Sequence, residues 1–174
     1  MIRELKNPLT ENYFALKHQV LSKTFPWFYF QYSTDNTKIE GFTDVPFYSH
    51  TVLERPGEGN LYPKVTSRYS DLVDNVLKEI LEFNSIEINC FFRINFNCSH
   101  YFDGKPTIPH FDHNFSHKNL LIYFNECQGD TFLYDKETYK FSPKEDLIIS
   151  FEGLHGSGQP LLGQRRIVMV ATYF

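Results

Sequence analysis

The stretch that decides the fold is residues 86–98, which read IEINCFFRINFNC. Apolar and polar side chains alternate along it, and a period of two residues is typical of a β-strand whose faces meet different surroundings. One face carries Ile86, Ile88, Cys90, Phe92, Ile94, Phe96 and Cys98. The other face is largely polar and includes Arg93, Asn95 and Asn97. We therefore predict a long strand whose apolar face packs under the preceding helices.

Helices and short strands are predicted before this strand. Over residues 65–83 the apolar positions recur every three or four residues, which is the period of a helix with one buried face. A shorter helix, capped at Thr10, is expected over residues 10–23, with Phe14, Val20 and Leu21 among its apolar contacts. Residues 26–32 and 46–53 read as strands. The change of period at about Ser85 divides one domain, residues 1–174, into a supporting part, 1–84, and a β-rich core, 85–174.

Composition narrows the class of protein. Aromatic residues make up 17% of the 174 residues, which suits a sheet-rich domain with a sizeable core. The net charge of −4, without a basic run, gives no electrostatic footprint for a nucleic-acid partner. Three cysteines without a CxxC pair argue against a disulfide framework. No apolar run is long enough for a membrane span, and residues 1–7 are charged rather than signal-like, so we expect a cytoplasmic protein.

A metal site is indicated by Pro109-His110-Phe111-Asp112 together with a later histidine, His155. In an extended segment His110 and Asp112 point to the same side, so an imidazole and a carboxylate can share one ion. His155, in Gly-Leu-His-Gly, would add a second imidazole. Two histidines and one carboxylate leave open positions on the metal, a pattern typical of non-haem Fe(II) oxygenases.

The order of the segments after this motif carries a family resemblance. Predicted strands at 120–125, 131–134 and 147–151 are followed by His155 and by a final strand that opens with arginine. Residues 88–174 thus resemble the 2-oxoglutarate/Fe(II)-dependent dioxygenase superfamily, most closely its prolyl-hydroxylase-like branch, including small members carried by marine phages. The resemblance implies a mainly β fold with flanking helices, a double-stranded β-helix of the jelly-roll, cupin-like kind.

The same resemblance implies roles for individual residues. His110, Asp112 and His155 would be the iron ligands, and Tyr123 would hydrogen-bond the far carboxylate of 2-oxoglutarate. Arg165 and Arg166 both lie at the expected distance after His155. The match of the last strand favours Arg166 as the carboxylate anchor, and strand alternation places the two arginines on opposite faces. The Ser or Thr that often follows this arginine is missing, since Ile167 and Val168 stand there.

The implied reaction uses Fe(II), 2-oxoglutarate and O2, with ascorbate as an optional reductant, and releases succinate and CO2. The implied substrate is a peptidyl proline or an amino-acid-like molecule, and a viral origin would place the protein in the host cytoplasm. In this fold Arg93, Asn95 and Asn97 would face the pocket as substrate contacts; the alternative is an ordinary half-exposed strand. Loops 33–45, 54–64 and 99–109 would surround the pocket mouth and set selectivity.

Other interpretations stay open. A cupin-like module could hold a metal or ligand without turnover, whereas a zinc hydrolase would need a general base that the motif does not supply. His113 and His117, four residues apart, could form a second metal site, but we expect exposed histidines in a loop over residues 112–119. Cys98 and His100 lack a partner pair at zinc-site spacing.

Overall fold

The computed structural model describes residues 2–34, 38–57 and 62–174. This part of the chain forms two helices and eleven strands. The helices are α1 (Glu11–Leu21) and α2 (Ser70–Phe83). The strands are β1 (Arg3–Leu5), β2 (Phe28–Phe30), β3 (Phe47–Glu54), β4 (Lys64–Val65), β5 (Phe91–His100), β6 (Lys118–Tyr123), β7 (Thr131–Tyr134), β8 (Thr138–Phe141), β9 (Ile148–Phe151), β10 (Leu154–Ser157) and β11 (Arg165–Tyr173).

Two antiparallel sheets make up the body of the protein. The major sheet has the order β1-β9-β6-β11-β5-β3-β2, with β4 paired to β3, and the minor sheet has the order β10-β7-β8. Strands from both predicted parts, 1–84 and 85–174, pair within the major sheet, since β1 joins β9 and β3 joins β5. A small apolar cluster, including Leu121, Leu133 and Phe151, fills the space between the sheets.

The larger core lies between the two helices and the outer face of the major sheet. Helix α1 buries Tyr13, Leu16 and Val20 there, and its N-cap Thr10 accepts a hydrogen bond from the Tyr13 main-chain N–H. Phe14 remains 50% exposed, and its ring contacts that of Tyr13 with centroids 5.8 Å apart. Within the described ranges, neither helix combines the length and the apolar character needed to cross a bilayer.

The long helix begins later than its apolar period suggests. Val65 lies in β4 opposite Leu53 and is 57% exposed, and α2 starts only at Ser70. From there the predicted face is confirmed, because Val73, Val76, Leu77, Ile80 and Leu81 are all buried. The helical period of the sequence includes Val65, but this residue lies in a strand that pairs with β3. A pairing between distant segments leaves no signal in the period of the sequence.

The strand of residues 86–98 also begins later, and its faces change at a bulge. Strand β5 starts at Phe91, while Ile86 and Ile88 contact the core without joining the ladder. Across from β11, Tyr173 pairs with Phe91 and Thr172 with Arg93, so Phe92 is an extra residue. A bulge of this kind reverses the alternation. Phe91 therefore packs against the core, and Phe92, predicted for the core face, contacts Phe115 with ring centroids 4.9 Å apart.

Candidate metal centre

His110 and His155 are held side by side by their own main chains. His110 N–H donates to His155 O at 2.9 Å, and His155 N–H donates to His110 O at 3.1 Å. His155 lies on β10, so this bridge attaches the Pro109–His110 segment to the minor sheet. The two ring centroids are 4.6 Å apart. Both imidazoles thus reach the space between the sheets from adjacent, paired positions.

The ring nitrogens of both histidines are oriented by carbonyl groups. Nδ1 of His110 lies 3.0 Å from Ile108 O, and Nδ1 of His155 lies 3.1 Å from Gly153 O. A carbonyl only accepts, so each Nδ1 carries a hydrogen, and in the neutral ring Nε2 is then the nitrogen with the free lone pair. Burial lowers the pKa of His155, although Asp112 nearby acts to raise it. Neutral imidazoles with Nε2 directed inward are the form that binds a metal.

The two oxygens of Asp112 have different surroundings. Arg93 Nη1 donates to Oδ1 at 3.1 Å, and Arg55 Nη1 donates to the main-chain oxygen of Asp112 at 3.0 Å. Burial alone would raise the pKa of Asp112, but His155 and Arg93 together hold it below its ordinary value. Oδ2 is buried, has no hydrogen-bond partner among the described residues, and faces His155 Nε2 at 3.4 Å. Two lone-pair atoms facing each other in this way fit a shared cation.

The structure brings His110, Asp112 and His155 together as the sequence predicts. One potential ligand atom from each residue lies within 4.8 Å of the others, and no other such trio of His, Cys, Asp or Glu occurs in the described residues. Two nitrogens and one oxygen suit a first-row transition metal such as iron or zinc. One side of the trio opens to a cavity of about 140 Å³, which leaves room for further ligands on the metal.

Arg166 lines the same cavity, and Arg165 does not. Arg166 is 7% exposed and lines the cavity wall, whereas Arg165 is exposed on the other face of β11. Nε of Arg166 donates to Gly129 O at 2.9 Å, and Nη2 donates to Thr131 Oγ1 at 2.8 Å. A guanidinium carries five N–H groups; two make these contacts and one is within reach of the Tyr123 hydroxyl, so at least two remain without a partner among the described residues. These are placed to bind an anion.

Tyr123 lies behind this arginine rather than across the cavity from it. Its ring packs 5.4 Å from the Arg166 guanidinium, and its hydroxyl is 2.6 Å from Thr131 Oγ1. Tyr123 is fully buried and is not part of the cavity wall, whereas Thr131 is. The Ser or Thr that often follows this arginine in the family is missing here. Thr131 supplies a hydroxyl beside Arg166 in its place. Sequence reasoning missed it because Thr131 comes from a different strand, β7.

The three proposed substrate contacts on β5 have different positions. Arg93 and Asn97 line the cavity. Asn95 is fully buried, does not line the cavity, and donates from Nδ2 to Asn97 Oδ1 at 2.5 Å. Of the predicted selectivity loops, 33–45 and 54–64 lie partly outside the described residues. The described part of loop 33–45 contributes Ser33 and Val45 to the cavity wall, and loop 99–109 contributes Ser99 and Thr107.

His113 and His117 are not exposed loop residues, and that prediction is wrong. His117 is 5% exposed, and His113 is half-buried, with Nε2 2.8 Å from Thr172 Oγ1. Both pack against Phe115, which the bulged Phe92 contacts in turn. Burial and the neighbouring His117 lower the pKa of His113 to about 4. The two imidazoles thus pack behind the loop that carries Asp112.

Comparison with known structures identifies this architecture. A prolyl hydroxylase from Trichoplax adhaerens, solved with a hypoxia-inducible-factor degradation-domain peptide, aligns over 99% of this chain and 83% of its own, with a TM-score of 0.64 and 15% identity. The chain has the fold of the 2-oxoglutarate/Fe(II) oxygenases. The predicted mainly β fold with flanking helices, a double-stranded β-helix of the jelly-roll type, is confirmed.

Two further structures show the range of proteins that share this fold. A 2OG-Fe(II) oxygenase-family oxidoreductase from Burkholderia pseudomallei aligns over 73% of this chain and 68% of its own, with a TM-score of 0.59 and 13% identity. The epimerase SnoN from nogalamycin biosynthesis, solved with Fe3+ and alpha-ketoglutarate, aligns over 99% and 78%, with a TM-score of 0.58 and 11% identity. No protein-family model matches the sequence, and no curated protein shows significant similarity to it.

Proposed function

We propose that this protein is an Fe(II)- and 2-oxoglutarate-dependent dioxygenase, with His110, Asp112 and His155 as iron ligands and Arg166 as the anchor of 2-oxoglutarate. The observation that carries this proposal is the position of Arg166. Its partly unpaired guanidinium lines the same cavity into which the three-residue cluster opens. A metal held only for structure has no need of a buried anion anchor beside it, so the arginine favours turnover over a cupin-like binding module.

The residues of the chain divide the work of binding. The Arg166 fork, held by Gly129 O and Thr131, would grip one carboxylate of 2-oxoglutarate, while the other end of the molecule reaches the metal. Leu121, Val168 and Phe151 line the wall with apolar surface and limit the access of water. When bound, iron supplies activation of O2, with release of succinate and CO2 from the cosubstrate. Ascorbate would serve only to keep the metal reduced.

The substrate we propose is a peptidyl proline or an amino-acid-like molecule. A structural neighbour, a prolyl hydroxylase solved in complex with a hypoxia-inducible-factor peptide, supports the first choice. The polar wall around the metal, with Arg93, Asn97 and several hydroxyl groups, supports a substrate rich in hydrogen-bonding groups. Neither choice calls for a membrane or a nucleic-acid partner.

Anaerobic titration tests the proposal. Fe(II) followed by 2-oxoglutarate should give a weak visible charge-transfer band, and subsequent O2 should yield succinate in an iron-dependent reaction. Zinc added in place of iron is the control and should yield neither. Failure to form the band, with tight retention of zinc, would instead favour the binding-module interpretation.

A further inference from the structure

Arg93 is a cation that the proposed function leaves without an adequate anion. Its guanidinium lines the cavity, and its side chain is 21% exposed. The contact from Nη1 to Asp112 Oδ1 is its one hydrogen bond within the described residues, so Nε and Nη2 have no partner there. Cations at this depth are normally paired and fully hydrogen-bonded. The arginine therefore has spare donors at the wall of the cavity.

Asp112 cannot neutralise Arg93 once a metal is bound. Its Oδ2 is the oxygen presented to the metal, so the single negative charge is then shared between the metal and Arg93. A second guanidinium, that of Arg55, lies against the main-chain oxygen of the same residue. Among the described wall residues Asp112 is the only acid, whereas Arg93 and Arg166 are both cations. The cavity therefore has an excess of positive charge.

The cosubstrate does not remove that excess at Arg93. In the proposed function one carboxylate of 2-oxoglutarate binds Arg166 and the other binds the metal. Both are then engaged, so Arg93 remains for a different anion. A guanidinium presents a planar fork that matches a carboxylate bidentately, and Asn97, on the same face of β5, adds an amide within the same wall.

We infer that the substrate carries a carboxylate and that Arg93 binds it beside the metal. This inference rests on the proposed function and makes its substrate class narrower. A proline inside a peptide chain has no carboxylate of its own. A free amino acid or a small organic acid does, and the geometry favours such a molecule over a peptide.

Binding of matched carboxylate and amide probes tests this inference. The protein is loaded with saturating Co(II) and N-oxalylglycine, an unreactive analogue of 2-oxoglutarate, so that the Arg166 end is filled. L-proline is then compared with L-prolinamide, and acetate with acetamide, by calorimetry and by the visible spectrum of Co(II). We expect each carboxylate to bind at least about tenfold more tightly than its amide.

Variants assign the effect to Arg93. Arg93→Gln should abolish the preference for the carboxylates, and Lys136→Gln, an exposed cation in the β7–β8 turn, should retain it. Arg93 also holds the proposed metal ligand Asp112, so Arg93→Gln is expected to weaken metal binding as well. Saturating Co(II) keeps the metal site filled in every variant. If Co(II) and N-oxalylglycine fail to bind the unaltered protein, the proposed function fails. If they bind and the amides bind as tightly as the carboxylates, or if Arg93→Gln keeps the preference, this inference alone is overturned.

Discussion

His110 and His155 share a two-way main-chain hydrogen bond, so their backbone positions are fixed without a contribution from the two rings. Removing either ring should therefore leave the bridge between the Pro109–His110 segment and β10 in place. The protein should still fold, because neither ring belongs to the apolar clusters.

Metal affinity should respond strongly to these rings. We expect His110→Ala and His155→Ala each to weaken Co(II) binding by more than the roughly 10- to 100-fold that loss of an outer-shell partner costs. His18→Ala, an exposed histidine of α1, is the control and should bind as the parent does. Calorimetric titration measures the affinities, and retained affinity in both variants would show that the metal lies elsewhere.

Arg166 and Arg165 form a matched pair for testing the cosubstrate anchor. Arg166→Ala should weaken 2-oxoglutarate binding by about 2 to 5 kcal/mol, because a buried carboxylate would lose its charged partner. Arg165→Ala should have little effect, since that side chain is exposed on the opposite face of β11. The measurement is 2-oxoglutarate affinity at saturating Fe(II) without O2. A severe Arg165 variant beside a mild Arg166 variant would contradict the assignment.

Gly129 is expected to be irreplaceable for reasons of space. It has a φ of +98°, and a Cβ there would lie 2.9 Å from the main-chain carbon of Gln159. Gly163 has a φ of +86°, and no atom lies within 4 Å of the place a Cβ would take, so an alanine there adds backbone strain without a clash. Gly163→Ala should therefore lower the free energy of unfolding by about 1–2 kcal/mol.

Gly129→Ala should lower the free energy of unfolding further than Gly163→Ala, since a backbone clash is added. It should also weaken 2-oxoglutarate binding, because the Gly129 carbonyl accepts from Arg166. Urea denaturation and 2-oxoglutarate titration measure the two effects. Equal stabilities of the two variants would mean that the loop at residue 129 relaxes freely.

Because of Tyr13, the free energy of unfolding should fall at high pH. Tyr13 is fully buried and donates to Asp146 Oδ1 at 2.6 Å, and burial raises its pKa well above the ordinary value of 10.0. A raised folded-state pKa means that this stabilisation is complete below pH 10 and declines above it, as the unfolded chain loses the proton first. The decline approaches about 1.36 kcal/mol per pH unit.

Tyr13→Phe provides the comparison. At pH 8 it should be less stable than the parent by about 0.5–1.5 kcal/mol, the typical net contribution of one hydrogen bond. By about pH 11 the difference should have disappeared. Urea denaturation across this range measures it, and a constant difference would show that the folded tyrosine ionises as easily as the unfolded one.

The sequence predicted that His110, Asp112 and His155 come together, as the structure shows, because part of this geometry is local. The alternation of an extended segment is sufficient to place His110 and Asp112 on one side, and the order of later strands supplied His155. Strand alternation predicted that Arg165 and Arg166 lie on opposite faces, and the exposures of the two side chains agree with that. The choice of Arg166 came from the family resemblance of the last strand.

What the sequence could not show depends on pairing between distant strands. Phe92 is an extra residue only because Thr172 and Tyr173 of β11 pair with the residues on either side of it. The period of the sequence therefore gives no sign that the two faces of β5 exchange at this point. Thr131 likewise becomes a neighbour of Arg166 only when β7 covers β11. The burial of His117 depends on the same bulge, through Phe115.

Strand β11 lies between β5 and β6, yet it is synthesised after every other described strand. On the ribosome, β5 and β6 must therefore emerge with their central partner still missing, and each then presents an open row of backbone donors and acceptors. Such edges invite association with other nascent chains. Efficient production in a foreign host should accordingly depend on slow translation, low temperature or holdase chaperones that protect these edges until residues 165–173 arrive.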